Sequence, residues 1–351
     1  MTPLEKLIRE LIDAEGPIGL DRYMGLCLGH PDHGYYMGRD PFGEKGDFIT
    51  APETSQMFGE LIGVWCVAAW EAMGSPGTFC LAELGPGRGT LMADVLRVTA
   101  KAAPGFTAAA EVHLVETSPA LRAAQRKTLG EAVQWHDSLE SLPDAPMILV
   151  ANEFFDAIPI RQFEKRDGRW HERGVGLKDD RLVVGLVETK LGPEGKDGDI
   201  IEFAPVRIDM AREIGKRLAR QPGAALIIDY GHLRTAPGDT LQAMRAHKHV
   251  SILERPGECD ITSHVDFEAL ATALKDGGAT VHGVLTQQAF LLAMGLERRF
   301  EILAAKSDPE TRGVLERQMT RLAGSDQMGN LFKVLAATSP GLATPYPFGR
   351  T

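Results

Sequence analysis

Glu83-Leu84-Gly85-Pro86-Gly87-Arg88-Gly89 is the stretch whose reading decides the fold. An apolar run, Thr78 to Leu84 (TFCLAEL), precedes it, and a helical pattern, Thr90 to Ala102, follows it. A strand, a glycine turn and a helix open a βαβ unit. Glycines at the tip let the backbone turn sharply and let a ligand lie against it. The following helix offers free N–H groups. The pattern is E-x-G-x-G-x-G. A dinucleotide fingerprint needs its third glycine at position 90, where Thr90 stands, and no G-K-[ST] phosphate loop is present here. The loop thus suits a nucleoside ligand without a pyrophosphate better than NAD or ATP. The bland alternative is an ordinary strand-to-helix turn.

The same α/β rhythm continues outward. Glu111 to Glu116, Ala132 to Trp135, Pro146 to Asn152 and Ala224 to Tyr230 read as further strands, with a sixth near Ala279 to Leu285 and a last at Phe332 to Ala337. Strands this apolar, separated by helices, predict a mostly parallel sheet covered on both faces. Glu116 ends the second strand. A carboxylate there holds ribose hydroxyls in nucleotide-binding units, because it accepts two hydrogen bonds at once. Asp137-Ser138 follows the third strand. Asp137 either accepts from an adenine amino group or caps a helix ahead of Leu139. Asn152-Glu153-Phe154-Phe155-Asp156 ends the fourth strand, the edge where ligands of open α/β sheets bind. Two acids, an amide and two aromatics suit a cationic substrate such as a guanidinium; alternatively the phenylalanines are core and Asp156 a turn residue.

Three other segments stand apart. Helices at Pro3 to Ala14 and Leu20 to Leu28 precede a Gly-, Pro- and His-rich stretch, Gly29 to Pro52, that reads as a loop or lid. Ser55 to Met73 is a long apolar helix, and Thr50 is a candidate helix cap. His30 and His33 lack a clear third ligand, so no metal site is expected. Gln162 to Val187 breaks the rhythm and reads as antiparallel strands turning at Asp167-Gly168 and around Asp179-Asp180, within an insertion spanning 161–223. Val265 to Lys275 reads as a helix, and Asp260-Ile261-Thr262-Ser263-His264 ahead of it offers His264 either as a base or as a helix-start residue.

The 351-residue chain is long enough for one large or two ordinary domains. A net charge of −10 argues against nucleic-acid phosphates and leaves cationic partners open. Four cysteines without a C-x-x-C pair predict free thiols in a reducing compartment. No apolar run reaches the length of a membrane span, and Met1 to Leu28 does not read as a signal or transit peptide.

Seven runs, HPDHGYY (30–36), DPFGEKGDFITAPETSQMFGE (40–60), AELGPGRGTLMADVLR (82–97), LVETSPALR (114–122), VANEFFDAIPIRQF (150–163), LIIDYGH (226–232) and DITSHVDF (260–267), together resemble the MidA-like family of methyltransferases. The resemblance implies a Rossmann-like class I methyltransferase fold. Its sheet would have seven strands, with an N-terminal helical and loop cover over residues 1–75 and a methyltransferase domain over 76–351 that carries the antiparallel insertion. It implies S-adenosyl-L-methionine as cofactor, with Glu83, Gly85, Gly87 and Gly89 forming its loop, Glu116 at the ribose, and Asp137 with Ser138 at the adenine. Asn152 and Glu153 would sit beside the methyl group, while Gly46, Asp47 and Thr50 would belong to the cover. Asp156 and His264 join Asn152 and Glu153 as catalytic candidates. The family includes a mitochondrial assembly factor that methylates an arginine of a respiratory complex I subunit. The expectation is therefore a bacterial, cytoplasmic protein arginine methyltransferase whose partner is a protein, with its oligomeric state open, a homodimer included. A small-molecule methyltransferase and a non-catalytic binder of S-adenosylmethionine that acts in assembly are the alternatives.

Overall fold

The apolar runs around the glycine turn become neighbouring strands of one mixed sheet. The structure, a computed structural model, describes residues 1–37, 50–189 and 192–349. The sheet's strands are β1 (Phe79–Leu84), β2 (Ala110–Val115), β3 (Gln134–His136), β4 (Met147–Asn152), β5 (Gly223–His232), β6 (Thr280–Thr286) and β7 (Phe332–Thr338). Their order is β6-β7-β5-β4-β1-β2-β3. From β3 to β5 all neighbours are parallel, and β7 is antiparallel to both β5 and β6. The chain runs from β1 towards β3 on one side and returns through β4 and β5 on the other. The strand order therefore reverses between β1 and β4, and ligands of open α/β sheets bind outside the carboxyl ends of strands at such a point. Leu84 stands level with Ala151 there, which puts Gly85 and Asn152 at the same end of adjacent strands.

An eighth strand corrects the sequence reading. Val265–Asp266, expected to open a helix, instead pairs parallel with Gly231 and His232. Gly231 allows this, because a Cβ there would collide with the Val265 backbone. The helix begins at Phe267, capped by the Asp266 carboxylate, which accepts the Ala269 N–H at 3.0 Å.

Every residue of β1 and β4 is buried, as their unbroken apolar sequences require. The helix Gln56–Ala72, capped by Ser55, packs Phe58, Leu61 and Ile62 into the same core, each burial contributing roughly 1.5–3 kcal/mol. Gly59 and Gly63 bring it close to the helix Thr90–Ala102: a Cβ at either would lie 2.6 Å from Asp94 or Val98.

The packing forms two compact units. The large sheet belongs to the one comprising Ile49–Phe155, Asp209–Leu233 and Val265–Thr351. The other comprises Met1–Phe48, Asp156–Ile208 and Arg234–His264. Residues 50–75, read from sequence with the N-terminal segment, thus pack with the large sheet, and residues 234–264 join the antiparallel strands.

In that second unit the strands Arg161–Arg166, Arg169–Lys178 and Arg181–Thr189 turn at Asp167-Gly168 and Asp179-Asp180. Both residues of each turn have positive φ, the type I′ geometry that matches strand twist. Ile200–Phe203 and the two-residue strand Ile18–Gly19 complete the sheet. A second sheet, Lys248–Val250, Gln242–Arg245 and Asp260–Thr262, is an addition to the sequence reading. The four cysteines are buried as thiols and form no disulfide. Among the described residues, no helix is long and apolar enough to cross a membrane.

Candidate active site

The turn after β1 explains its own sequence. Gly85, Gly87 and Gly89 have φ of 58°, 53° and 81°, the left-handed region that L side chains avoid. Gly85 also lies under the Phe154 ring: a Cβ would sit 2.6 Å from it. Gly89 is the N-cap of the helix Thr90–Ala102, whose first N–H groups therefore face the turn. Glu83 is the penultimate residue of β1, two positions before Gly85. It is buried and accepts the Met92 N–H, and burial pushes its carboxyl up to about 8 against that bond.

Glu116 lies level with the turn, at the end of β2, and is buried. Its Oε1 accepts the Ser118 N–H at 2.8 Å, and its Oε2 accepts from Gln125 Nε2 at 3.2 Å. Burial raises its pKa, and those two bonds oppose the rise. Arg122 ties this acid to the next strand end: its Nε donates to the Glu116 carbonyl at 2.7 Å and its Nη2 to Asp137 Oδ1 at 2.7 Å. Ser138, not Asp137, is the N-cap of the short helix Leu139–Ser141, and its hydroxyl makes no cap bond.

At the end of β4, Asn152 is buried and Glu153 half-buried. Glu153 has φ 50°, strained for a non-glycine residue. Its Oε1 accepts the Ala51 N–H at 2.9 Å and the Asn152 amide at 3.1 Å. Since a carboxylate only accepts, Asn152 Nδ2 must face it, leaving Asn152 Oδ1 buried with no partner among the described residues. Behind this turn, Asp229 Oδ2 accepts the N–H groups of Phe154 and Phe155 at 3.2 and 3.0 Å. The short helix Ala51–Thr54 follows Thr50, whose hydroxyl makes no cap bond. Its Glu53 accepts from the Thr90 hydroxyl at 2.5 Å and lies 3.7 Å from Arg88, so it binds to the glycine turn rather than closing a capping box.

In the unit of antiparallel strands, Asp156 and His264 share one anchor, Arg207. This buried guanidinium donates to the carbonyls of Asp156 (3.0 Å), Ile158 (2.9 Å) and His264 (2.9 Å) and to Ser263 Oγ (2.6 Å). His264 does not start a helix, since the next one begins at Phe267, and its N–H donates to Thr240 Oγ1 at 2.9 Å. Gly46 and Asp47 lie outside the described residues.

Residues 61–285 match the family model described as "Putative S-adenosyl-L-methionine-dependent methyltransferase". The chain belongs to this methyltransferase family. A Drosophila melanogaster relative named protein arginine methyltransferase NDUFAF7 homolog, mitochondrial, is 37% identical over 95% of this chain and 84% of its own length. The Homo sapiens protein arginine methyltransferase NDUFAF7, mitochondrial, is 34% identical over 96% of this chain and 83% of its own. A Burkholderia thailandensis structure bound to S-adenosyl-homocysteine, 30% identical, superposes with a TM-score of 0.85, covering 99% of this chain and 95% of that one.

The methyltransferase's cofactor is S-adenosyl-L-methionine, and the residues present fit it. The turn carries no side chain at three alternate positions, a buried acid stands beside it, and the orphaned Asn152 Oδ1 requires a donor. Sequence reasoning missed Gln125, Arg122 and Arg207. The first two lie on a helix whose apolar periodicity gave no hint of polar work, and an arginine wrapped in carbonyls has no sequence signature.

Proposed function

We propose that this methyltransferase transfers a methyl group to an arginine nitrogen of a protein, a respiratory complex I subunit or its bacterial counterpart, in the cytoplasm. The relatives named as protein arginine methyltransferases support the substrate class. The observation that carries the reading is Glu153, a carboxylate at the end of β4 held by the Ala51 N–H and the Asn152 amide.

Bound S-adenosyl-L-methionine supplies a methyl group on a sulfonium, open to in-line displacement. Glu83 with the turn of Gly85, Gly87 and Gly89 would form the loop that holds the adenosyl ligand, and Glu116 would accept from its ribose hydroxyls. Asp137 and Ser138 face the adenine. Asn152 Oδ1 takes a ligand donor beside the methyl group, and Thr50 belongs to the cover. An arginine is protonated at neutral pH. Glu153 therefore has two tasks: to orient the guanidinium, and to draw off its proton as the nitrogen–carbon bond forms and the carbon–sulfur pair returns to sulfur. Asp156 and His264 are the further candidates for guiding the target nitrogen. The test is methyl-labelled cofactor offered to intact protein, with the labelled residue located by mass spectrometry. Label on arginine supports the reading; label only on small molecules contradicts it.

A further inference from the structure

Gln125, a polar side chain beside the glycine turn, is fully buried. It lies on the helix Pro119–Leu129 and makes three bonds to three elements. Nε2 donates to the Gly87 carbonyl at 2.7 Å and to Glu116 Oε2 at 3.2 Å, and Oε1 accepts the Trp135 indole N–H at 2.8 Å. The amide's orientation is not arbitrary. An indole N–H only donates, while a carbonyl and a carboxylate only accept, so the oxygen must face Trp135 and the nitrogen the other two. Both amide hydrogens and one oxygen lone pair are thereby used. No other uncharged side chain of this length carries two donors and an acceptor. A glutamate of the same shape would lack both donors and set a second carboxylate against Glu116.

Its neighbours on the same helix face extend the contact. Arg122, one turn earlier, holds the Glu116 carbonyl and Asp137. Arg126 lies over the Trp135 ring at 4.4 Å. Leu129 meets Gly89, where a Cβ would approach it to 3.0 Å. One helix face thus touches the glycine turn, the acid after β2 and the end of β3.

We infer that Gln125 is a positioning residue for cofactor binding, acting through Glu116. It draws one carboxylate oxygen towards the helix while the Ser118 N–H holds the other, so the carboxylate presents a fixed edge to the ribose. The same amide's bond to the Gly87 carbonyl fixes the amide itself, so that its second hydrogen stays aimed at Glu116. This rests on the proposed placement of the ribose at Glu116.

The test is a double-mutant cycle read by calorimetry with S-adenosylhomocysteine. It uses wild type, Gln125→Leu, Glu116→Ala and the double variant, with Gln125→Glu as an isosteric second variant should the leucine fail to fold. Gln125→Leu and Gln125→Glu are each expected to weaken binding about tenfold or more, because a hydrogen bond to a charged group is lost. In the Glu116→Ala background the same change is expected to weaken it less than about twofold. A purely structural role would give the same factor in both backgrounds and would overturn the inference, as would wild-type affinity in both Gln125 variants. Wild-type affinity in Glu116→Ala would overturn the ribose placement itself, a separate outcome.

Discussion

Glu153 Oε1 accepts the backbone N–H of Ala51 at 2.9 Å, across 102 residues of chain. The bond joins the end of β4 to the first turn of a short helix whose Glu53 in turn accepts from the Thr90 hydroxyl. The proposed substrate-side acid and the glycine turn are therefore parts of one hydrogen-bonded frame. Glu153 occupies it at φ 50°, a backbone state that costs a non-glycine residue about 1–2 kcal/mol.

Gly85→Ala tests the glycine turn. At φ 58° with Phe154 2.6 Å from the new Cβ, the substitution is expected to destabilise the protein by about 1–2 kcal/mol. Displacement of the Phe154 ring is also expected to weaken S-adenosylhomocysteine at least about tenfold. Calorimetry together with urea unfolding checks both. Unchanged affinity would mean that the turn does not contact the ligand.

Asp229→Ala tests the anchor behind the substrate-side turn. Its carboxylate serves the N–H groups of Phe154, Phe155 and Tyr230. Loss of a buried charged acceptor is expected to cost roughly 2–4 kcal/mol in urea unfolding. A change below about 0.5 kcal/mol, the range of ordinary surface substitutions, would show that the turn stands without it.

Glu83 gives the stability a pH dependence of known sign. Burial raises its folded pKa to about 8 from an ordinary 4.5, so the folded chain holds this proton more tightly than the unfolded one. Its contribution to stability is full below about 4.5 and is lost as pH rises through about 8. Glu83→Gln is expected to remove that decline, so the variant gains on wild type as pH rises across this window. Parallel stability profiles would contradict it.

Arg207→Met tests the anchor of Asp156 and His264. The methionine keeps the apolar stem but leaves the Ile158 and His264 carbonyls and Ser263 Oγ without the guanidinium donor, and the Asp156 carbonyl with the Ser263 N–H alone. Urea unfolding is expected to show a loss of roughly 2–4 kcal/mol; wild-type stability would mean that water replaces the guanidinium without cost.

Much of this frame is legible in the sequence, and the reasons are local. The glycine turn, Glu116 and the Asn152–Asp156 run follow strands whose apolar residues are consecutive, and such runs mark buried parallel strands. The hairpins at Asp167-Gly168 and Asp179-Asp180 announce themselves because aspartate and glycine tolerate positive φ. Ala246-His247 makes a turn of the same kind, at φ 47° and 60°, without the Asn-Gly or Asp-Gly pair that announces one. The small sheet it joins was therefore invisible. Val265–Asp266 reads as helix from its own sequence because its strand pairing depends on a distant glycine, Gly231. Gln125 and Arg207 act through long-range partners that no spacing encodes. Asp137 has its exposed carboxylate held by Arg122, a pairing between a helix and a strand end that neither segment's sequence implies.

The measurement that bears most directly on the account is Glu153→Gln, assayed for methyl transfer to protein arginine and for S-adenosylhomocysteine binding side by side. A glutamine oxygen still accepts the Ala51 N–H, but it has no charge to orient a guanidinium or draw off its proton. The account predicts transfer reduced by about a hundredfold or more, with cofactor affinity within about twofold of wild type. Transfer at the wild-type rate, or affinity and transfer collapsing together, would contradict the division between a cofactor-holding turn and a substrate-side acid.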